Sequence, residues 1–86
     1  MTRDALRAQL LVLLGHIAPE ADLANWKDEY PLREELDLDS VDFYGFILAI
    51  HKHLGIAVPE ADYAGLATLK GCLDYLEPKV AIGQPQ

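Results

Sequence analysis

The stretch EELDLDSVDF, residues 34–43, places a single serine, Ser40, between a run of acids and the start of an apolar helical pattern. Ser and Asp are favoured at the beginning of a helix, because their side-chain oxygens accept hydrogen bonds from free backbone N–H groups. Asp39 in the N-cap position, with Asp42 three residues later, resembles a capping box with a shortened acid. Ser40 is therefore either a cap of this helix or a covalent attachment point presented at its start.

The predicted helix runs from about Ser40 to Leu54 and ends at Gly55, a residue that favours the left-handed conformation of a helix C-terminus. At about 100° per residue, its apolar residues fall on two sides. One side forms a predicted core face: Phe43, Phe46, Ile47, Ile50 and Leu54. Three apolar residues lie on the other side, which also carries Ser40, His51 and Lys52: Val41, Tyr44 and Leu48. This second stripe is either additional core or a contact surface for partners.

The part of the chain before this helix predicts one further helix and a long connection. Residues 3–17 carry leucines at helical spacing, and Thr2 or Asp4 can cap them. The connection from Ala18 to Asp39 is long for a compact domain, so its own apolar residues must attach it to the core. We expect three residues to do this: Trp26, Leu32 and Leu36.

The part after it predicts a short helix from Pro59 through Ala64 and a last helix. Thr68 caps the last helix, which is expected to end near Leu76 or Glu77 because Pro78 follows. No stretch shows the alternation of a paired strand. The sequence therefore predicts an all-α fold with three main helices, one short helix and a long first loop.

Composition narrows the class of protein further. The 86 residues carry 14 acids against seven bases, a net charge of −7, and nine of the acids lie between Glu20 and Asp42. Such a surface repels nucleic acid and attracts basic patches on protein partners. No apolar run approaches a bilayer span, and the lone Cys72 cannot form an internal disulfide, so the default location is cytoplasmic. We expect a monomer with one domain over residues 1–78 and a flexible tail, 79–86.

No catalytic or metal-binding set can be assembled from the sequence. The chain has three histidines, and His51 and His53 are two residues apart on a helix, so they point to different faces. No Ser/His/Asp or Cys/His combination stands out either. The sequence therefore predicts neither an enzyme nor a metal site.

The segment LREELDLDSVDFYGFILAIHKHLGIAVPEADYAGLATLKGCLDYL, residues 32–76, resembles the acyl carrier protein family. The Asp-Ser-Leu hallmark of that family stands here as Asp39-Ser40-Val41, with the acidic stretch EEL at 34–36 upstream. The segments VPEAD and CLDYL follow at the family's spacing. The resemblance covers about half of the chain.

The resemblance implies a four-helix bundle and a covalent phosphopantetheine arm. A phosphopantetheinyl transferase would attach the arm to the Ser40 hydroxyl, and Asp39 would help to position it and contact the transferase. An acyl-loading ligase or acyltransferase, and synthase or transferase enzymes with basic patches, would be the further partners. Val41, Tyr44, Leu48, His51 and Lys52 are the candidate partner-binding residues, and an acyl chain would lie against Phe43, Phe46 and Ile47.

The sequence departs from fatty-acid carriers in the second main helix, which is rich in glutamate in those proteins. Here Gly45, His51, Lys52 and His53 occupy positions where acids are common, which favours a specialised carrier over a housekeeping one. Gly45 suggests a close approach by a partner or by the arm. The alternatives are a peptidyl or aminoacyl carrier, which usually shows Gly-Gly-x-Ser instead of Leu-Asp-Ser, and an unmodified carrier-like interaction module.

Overall fold

The computed structural model describes residues 2–82, and these form a helical bundle. Its α-helices are α1 (Arg3–Ile17), α2 (Leu32–Glu35), α3 (Ser40–Leu54) and α4 (Leu69–Ile82), with 3₁₀ segments at Leu23–Asn25 and Glu60–Leu66. No strand occurs within residues 2–82, so the predicted all-α fold with a long first loop is confirmed. None of the helices in this part of the chain combines the length and the hydropathy that crossing a bilayer requires.

The core lies where α1, α3 and α4 meet, and the predicted face of α3 contributes four of its members. Phe43, Phe46, Ile47 and Ile50 are buried, and Leu54 is partly buried against them. Leucines of α1 and α4 complete the interior, together with Cys72. Burial raises the pKa of the Cys72 thiol to about 12, so this cysteine is a protonated packing residue at neutral pH.

The long connection between α1 and α3 is fixed to the bundle by its own residues, as predicted. Trp26 and Leu32 are buried, and Leu36 packs against the core. Arg7 of α1 donates to Asp28 at 2.8 Å and to the carbonyl oxygen of Trp26 at 2.8 Å. The connection contains the one-turn helix α2 and the 3₁₀ segment Leu23–Asn25, in a stretch where the sequence predicts only a loop.

Further backbone hydrogen bonds join the connection to the start of α4. The N–H of Leu32 donates to the carbonyl oxygen of Ala67 at 2.8 Å, and the N–H of Lys70 donates to that of Asp28 at 2.9 Å. These bonds hold α2 beside the segment that precedes α4. The backbone that leads from α2 to Ser40 is therefore fixed to the bundle.

The helix starts follow the predicted capping chemistry. The N–H of Ala5 donates to the Thr2 hydroxyl at 3.1 Å, which selects Thr2 over Asp4 as the cap of α1. The N–H of Gly71 donates to the Thr68 hydroxyl at 3.0 Å at the start of α4. Gly55 ends α3 with φ 72°, in the left-handed region.

The predicted short helix differs in type and in extent. It begins at Glu60 and ends at Leu66 instead of Ala64, and it is a 3₁₀ helix. Short segments often adopt this tighter winding. Leu66 at its end is fully buried, so packing of that side chain explains the two additional residues.

The predicted end of the last helix near Leu76 or Glu77 is wrong, because α4 continues through Pro78 to Ile82. A proline inside a helix removes one hydrogen bond and costs about 3 kcal/mol. Val80 is 2% exposed and belongs to the core, and burying a valine recovers about 1.5–3 kcal/mol. Residues 79–82 of the predicted tail are therefore helical, whereas 83–86 lie outside the described residues; the flexibility of the tail stays a prediction.

Candidate functional site

Ser40 is the first residue of α3 and is exposed. The Asp39 carboxylate accepts the N–H of Asp42 at 2.8 Å, and the Asp42 carboxylate accepts the N–H of Asp39 at 3.3 Å. This is the predicted capping box, so the cap function belongs to Asp39 and Asp42. The Ser40 hydroxyl makes no cap bond, which leaves its oxygen free for other chemistry.

A tight turn between α2 and α3 sets the position of Asp39 and Ser40. Asp37 has φ 54°, in the left-handed region that aspartate tolerates better than most residues. The N–H of Leu38 donates to the carbonyl oxygen of Arg33 at 2.8 Å, as in a Schellman motif. Because Leu38 is buried, the turn is tied to the interior immediately before the serine.

Arg33 of α2 reaches the serine from the other side of this turn. Its Nη2 lies 3.4 Å from the Ser40 Oγ, a long hydrogen bond, and its guanidinium carbon lies 5.9 Å from the centre of the Phe43 ring. No carboxylate among residues 2–82 forms an ion pair with Arg33. This guanidinium is therefore a cation at the serine whose charge the protein does not neutralise directly.

A cleft of about 320 Å³ opens beside the serine, between the start of α3 and the 3₁₀ segment Glu60–Leu66. We name it the serine cleft, and the residues that line it are Arg33, Ser40, Phe43, Tyr44, Glu60 and Tyr63. A hollow of about 230 Å³ adjoins it and shares three of these residues: Arg33, Phe43 and Tyr63. The two spaces together can hold a slender chain that leaves the Ser40 oxygen.

Two aromatic rings form a wall of the cleft. The rings of Phe43 and Tyr63 meet edge to face, with centroids 6.0 Å apart. Burial raises the pKa of the Tyr63 hydroxyl, and Tyr44 and Glu60 raise it further. Tyr63 is therefore a neutral hydrogen-bonding group at physiological pH.

The residues that the sequence assigned to partner binding lie on an exposed face of α3. Val41 is 77% exposed, Tyr44 50% and Leu48 48%, and His51 and Lys52 are exposed as well. This excludes the interpretation of the second apolar stripe as additional core. A role in partner binding stays a prediction, and so does the close approach at Gly45, where an added Cβ would meet no atom within 4 Å.

The three residues assigned to an acyl pocket are placed differently from one another. Phe43 lines the serine cleft, whereas Phe46 and Ile47 are 0% and 3% exposed and lie in the closed core. The structure therefore brings Phe43 together with Ser40 and keeps the other two residues inside.

Sequence reasoning did not assign three of the residues that line the cleft, namely Arg33, Glu60 and Tyr63. Arg33 could have been found from the sequence, because it is the one basic residue between Asp28 and Asp42 and lies seven residues before the serine. Glu60 and Tyr63 had no comparable signal. They reach Ser40 only through the tertiary packing of the 3₁₀ segment on α3.

Comparisons with known proteins identify the family of the chain. The family model described as the phosphopantetheine attachment site matches residues 4–76. The chain is also similar to an acyl carrier protein of Thermosynechococcus vestitus, with 32% identity over 73 residues that cover 85% of this chain and 79% of that protein. Proteins of this kind bear a covalent phosphopantetheine and act as carriers that meet synthase and transferase enzymes. The chain therefore belongs to the acyl carrier protein family, whose members contain a phosphopantetheine attachment site.

Proposed function

We propose that Ser40 bears the phosphopantetheine arm, and that the protein carries acyl or aminoacyl groups as thioesters between enzymes of lipid or secondary-metabolite synthesis. The observation that carries this proposal is the exposed Ser40 hydroxyl at the start of α3 beside the serine cleft, in a chain of this family. The role that we propose is that of a carrier, with the acid and base chemistry performed by the partner enzymes.

The residues around Ser40 fit a phosphodiester-linked arm. The first turn of a helix presents backbone N–H groups without helical acceptors, and the helix dipole favours an anion there. Arg33 adds a full positive charge at 3.4 Å from the serine oxygen, and the cleft provides room for the arm. When bound, the arm supplies a terminal thiol that holds the cargo as a thioester.

The attachment step balances with coenzyme A as the co-reactant. The Ser40 Oγ forms a bond to the phosphorus that bears pantetheine. The bond between that phosphorus and the bridging oxygen of the pyrophosphate breaks, and adenosine 3′,5′-bisphosphate leaves with the electron pair. The hydroxyl proton passes to a base of the transferase. Ser40 needs only to be accessible and firmly placed for this reaction.

The partners follow from the surface charge and the exposed face of α3. The acids between Glu20 and Asp42 suit basic patches on a phosphopantetheinyl transferase, on an acyl-loading ligase or acyltransferase, and on synthases. Val41, Tyr44 and Leu48 supply apolar contact next to the serine. Lys52, the two histidines and Gly45 of α3 favour a specialised enzyme set over housekeeping fatty-acid synthesis. A monomeric state and a cytoplasmic location complete the proposal.

The intact mass of the purified protein after incubation with coenzyme A and a broad-specificity transferase tests the attachment site. We expect the gain of one phosphopantetheine in the wild type and no gain in Ser40→Ala. A Ser40→Ala variant that still gains the mass would place the arm elsewhere. No gain in a folded wild type would favour the unmodified interaction module.

Asp39 is expected to act in two ways that a pair of variants separates. Asp39→Ala removes the cap and should lower the free energy of unfolding by about 1 kcal/mol. Asp39→Ser keeps a capping oxygen but loses the charge, so its stability should stay close to that of the wild type. A charge-assisted contact to the transferase contributes about 1.5–3 kcal/mol, so loading of Asp39→Ser should slow about tenfold or more. If Asp39→Ser is loaded at the wild-type rate, Asp39 acts only as the helix cap and does not contact the transferase.

A further inference from the structure

We infer that Arg33 binds the phosphate of the arm carried by Ser40 and so holds the first part of the arm at the mouth of the serine cleft. The inference rests on the proposed attachment at Ser40. It assigns a positioning role to a residue that lies outside the serine-containing helix, on the one-turn helix α2.

The first argument is distance. The Arg33 Nη2 lies 3.4 Å from the Ser40 Oγ, and this oxygen becomes one of the phosphate oxygens once the arm is attached. The two unesterified phosphate oxygens lie one P–O bond beyond the phosphorus. A guanidinium carries several N–H donors in a planar fork that suits such oxygens, so a small side-chain rotation brings it into contact.

The second argument is charge. The carboxylates of Asp39 and Asp42 lie at the same helix start, and Asp37 and Glu34 are neighbours in the chain. These acids oppose a phosphate anion. Among the residues that line the serine cleft and the adjoining hollow, Arg33 is the cation.

The third argument is that the guanidinium is available. The other arginines of the chain are engaged: Arg3 pairs with Asp74 and Glu77, and Arg7 pairs with Asp28. Within residues 2–82, Arg33 has no such pair and lies over the Phe43 ring. Because the Arg33 side chain is exposed, the fold does not require it for packing. Stacking of the guanidinium on the Phe43 ring directs it towards the cleft.

Phosphorus NMR of the fully loaded protein tests the inference, with loading verified first by intact mass. The variants are Arg33→Gln and a matched control, Lys27→Gln, which removes the same charge from an exposed residue of the long connection that lines neither the serine cleft nor the adjoining hollow. The urea-unfolded loaded protein supplies the reference resonance of an arm without contacts.

We expect the phosphodiester resonance of the folded wild type to differ from the unfolded reference. Arg33→Gln should move it most of the way to that reference, Arg33→Lys part of the way, and Lys27→Gln not at all. Salt at about 1 M, where the Debye length is about 3 Å, should move the wild-type resonance in the same direction as Arg33→Gln.

Two failures are distinguishable. A wild type that gains no mass overturns the attachment at Ser40. A loaded wild type whose resonance equals that of Arg33→Gln overturns the role of Arg33 and leaves the attachment intact.

Discussion

Gly71→Ala is expected to lower the free energy of unfolding by about 1–3 kcal/mol, although alanine favours a helix by about 1 kcal/mol over glycine. A Cβ at position 71 would overlap the carbonyl oxygen of Gly65, and it would also approach the Thr68 hydroxyl at 3.3 Å. The first contact is with backbone and not with the far end of a flexible side chain. The 3₁₀ segment Glu60–Leu66 must therefore move or the start of α4 must shift.

Other contacts are made where the 3₁₀ segment Glu60–Leu66 meets the start of α4. The Thr68 hydroxyl accepts the N–H of Gly71 at 3.0 Å as the cap of α4, and the Cys72 thiol lies 3.5 Å from the carbonyl oxygen of Leu66. The 3₁₀ segment also carries Glu60 and Tyr63, which line the serine cleft. A displaced segment should therefore change the cleft as well as the stability.

Gly45→Ala is the matched control, because it makes the same change in the middle of α3, where an added Cβ meets nothing within 4 Å. It should raise the free energy of unfolding by up to about 1 kcal/mol. Urea denaturation followed by circular dichroism compares the two variants through their midpoints at constant slope. Equal urea midpoints for Gly71→Ala and Gly45→Ala would contradict the prediction, because they would show that the backbone near Gly65 moves away from the added Cβ without a loss of stability.

Local chemistry explains which parts of the fold could be predicted from the sequence. The start of α3 at Asp39-Ser40 and its end at Gly55 depend on capping and left-handed backbone geometry, which act within a few residues. The core face of α3 followed from helical periodicity. The prediction for α4 failed at Pro78 because the burial of Val80 offsets much of the local cost of a proline inside a helix.

The candidate site also combines features that local sequence determines with features that only tertiary packing determines. The position of Ser40 at a helix start could be predicted, because the capping pattern lies next to it in the sequence. Its role as the attachment residue stays a prediction. Tyr63 and Glu60 could not, because they belong to a segment twenty or more residues away that only tertiary packing brings to the cleft. Phe46 was placed on the correct face, but periodicity alone does not distinguish the wall of an acyl pocket from a closed core.

Phe46→Ala is expected to produce the largest loss of stability, about 3–5 kcal/mol. The Phe46 side chain is 0% exposed and is the largest of the fully buried side chains. Its removal takes away the transfer free energy of an aromatic ring and leaves a cavity that the surrounding helices can only partly close. A small domain has about 5–15 kcal/mol in total, so the variant should be close to unfolding at moderate temperature.

Leu48→Ala provides the control on the same helix, because Leu48 is 48% exposed and should change the stability by at most about 0.5 kcal/mol. Thermal and urea denaturation of both variants measure the contrast. A small loss for Phe46→Ala would mean that the interior around this ring rearranges easily, as an acyl pocket among Phe43, Phe46 and Ile47 would require. The expected large loss would show that the core closes tightly around Phe46 in the unloaded protein, whereas an acyl pocket among Phe43, Phe46 and Ile47 stays a prediction for the loaded one.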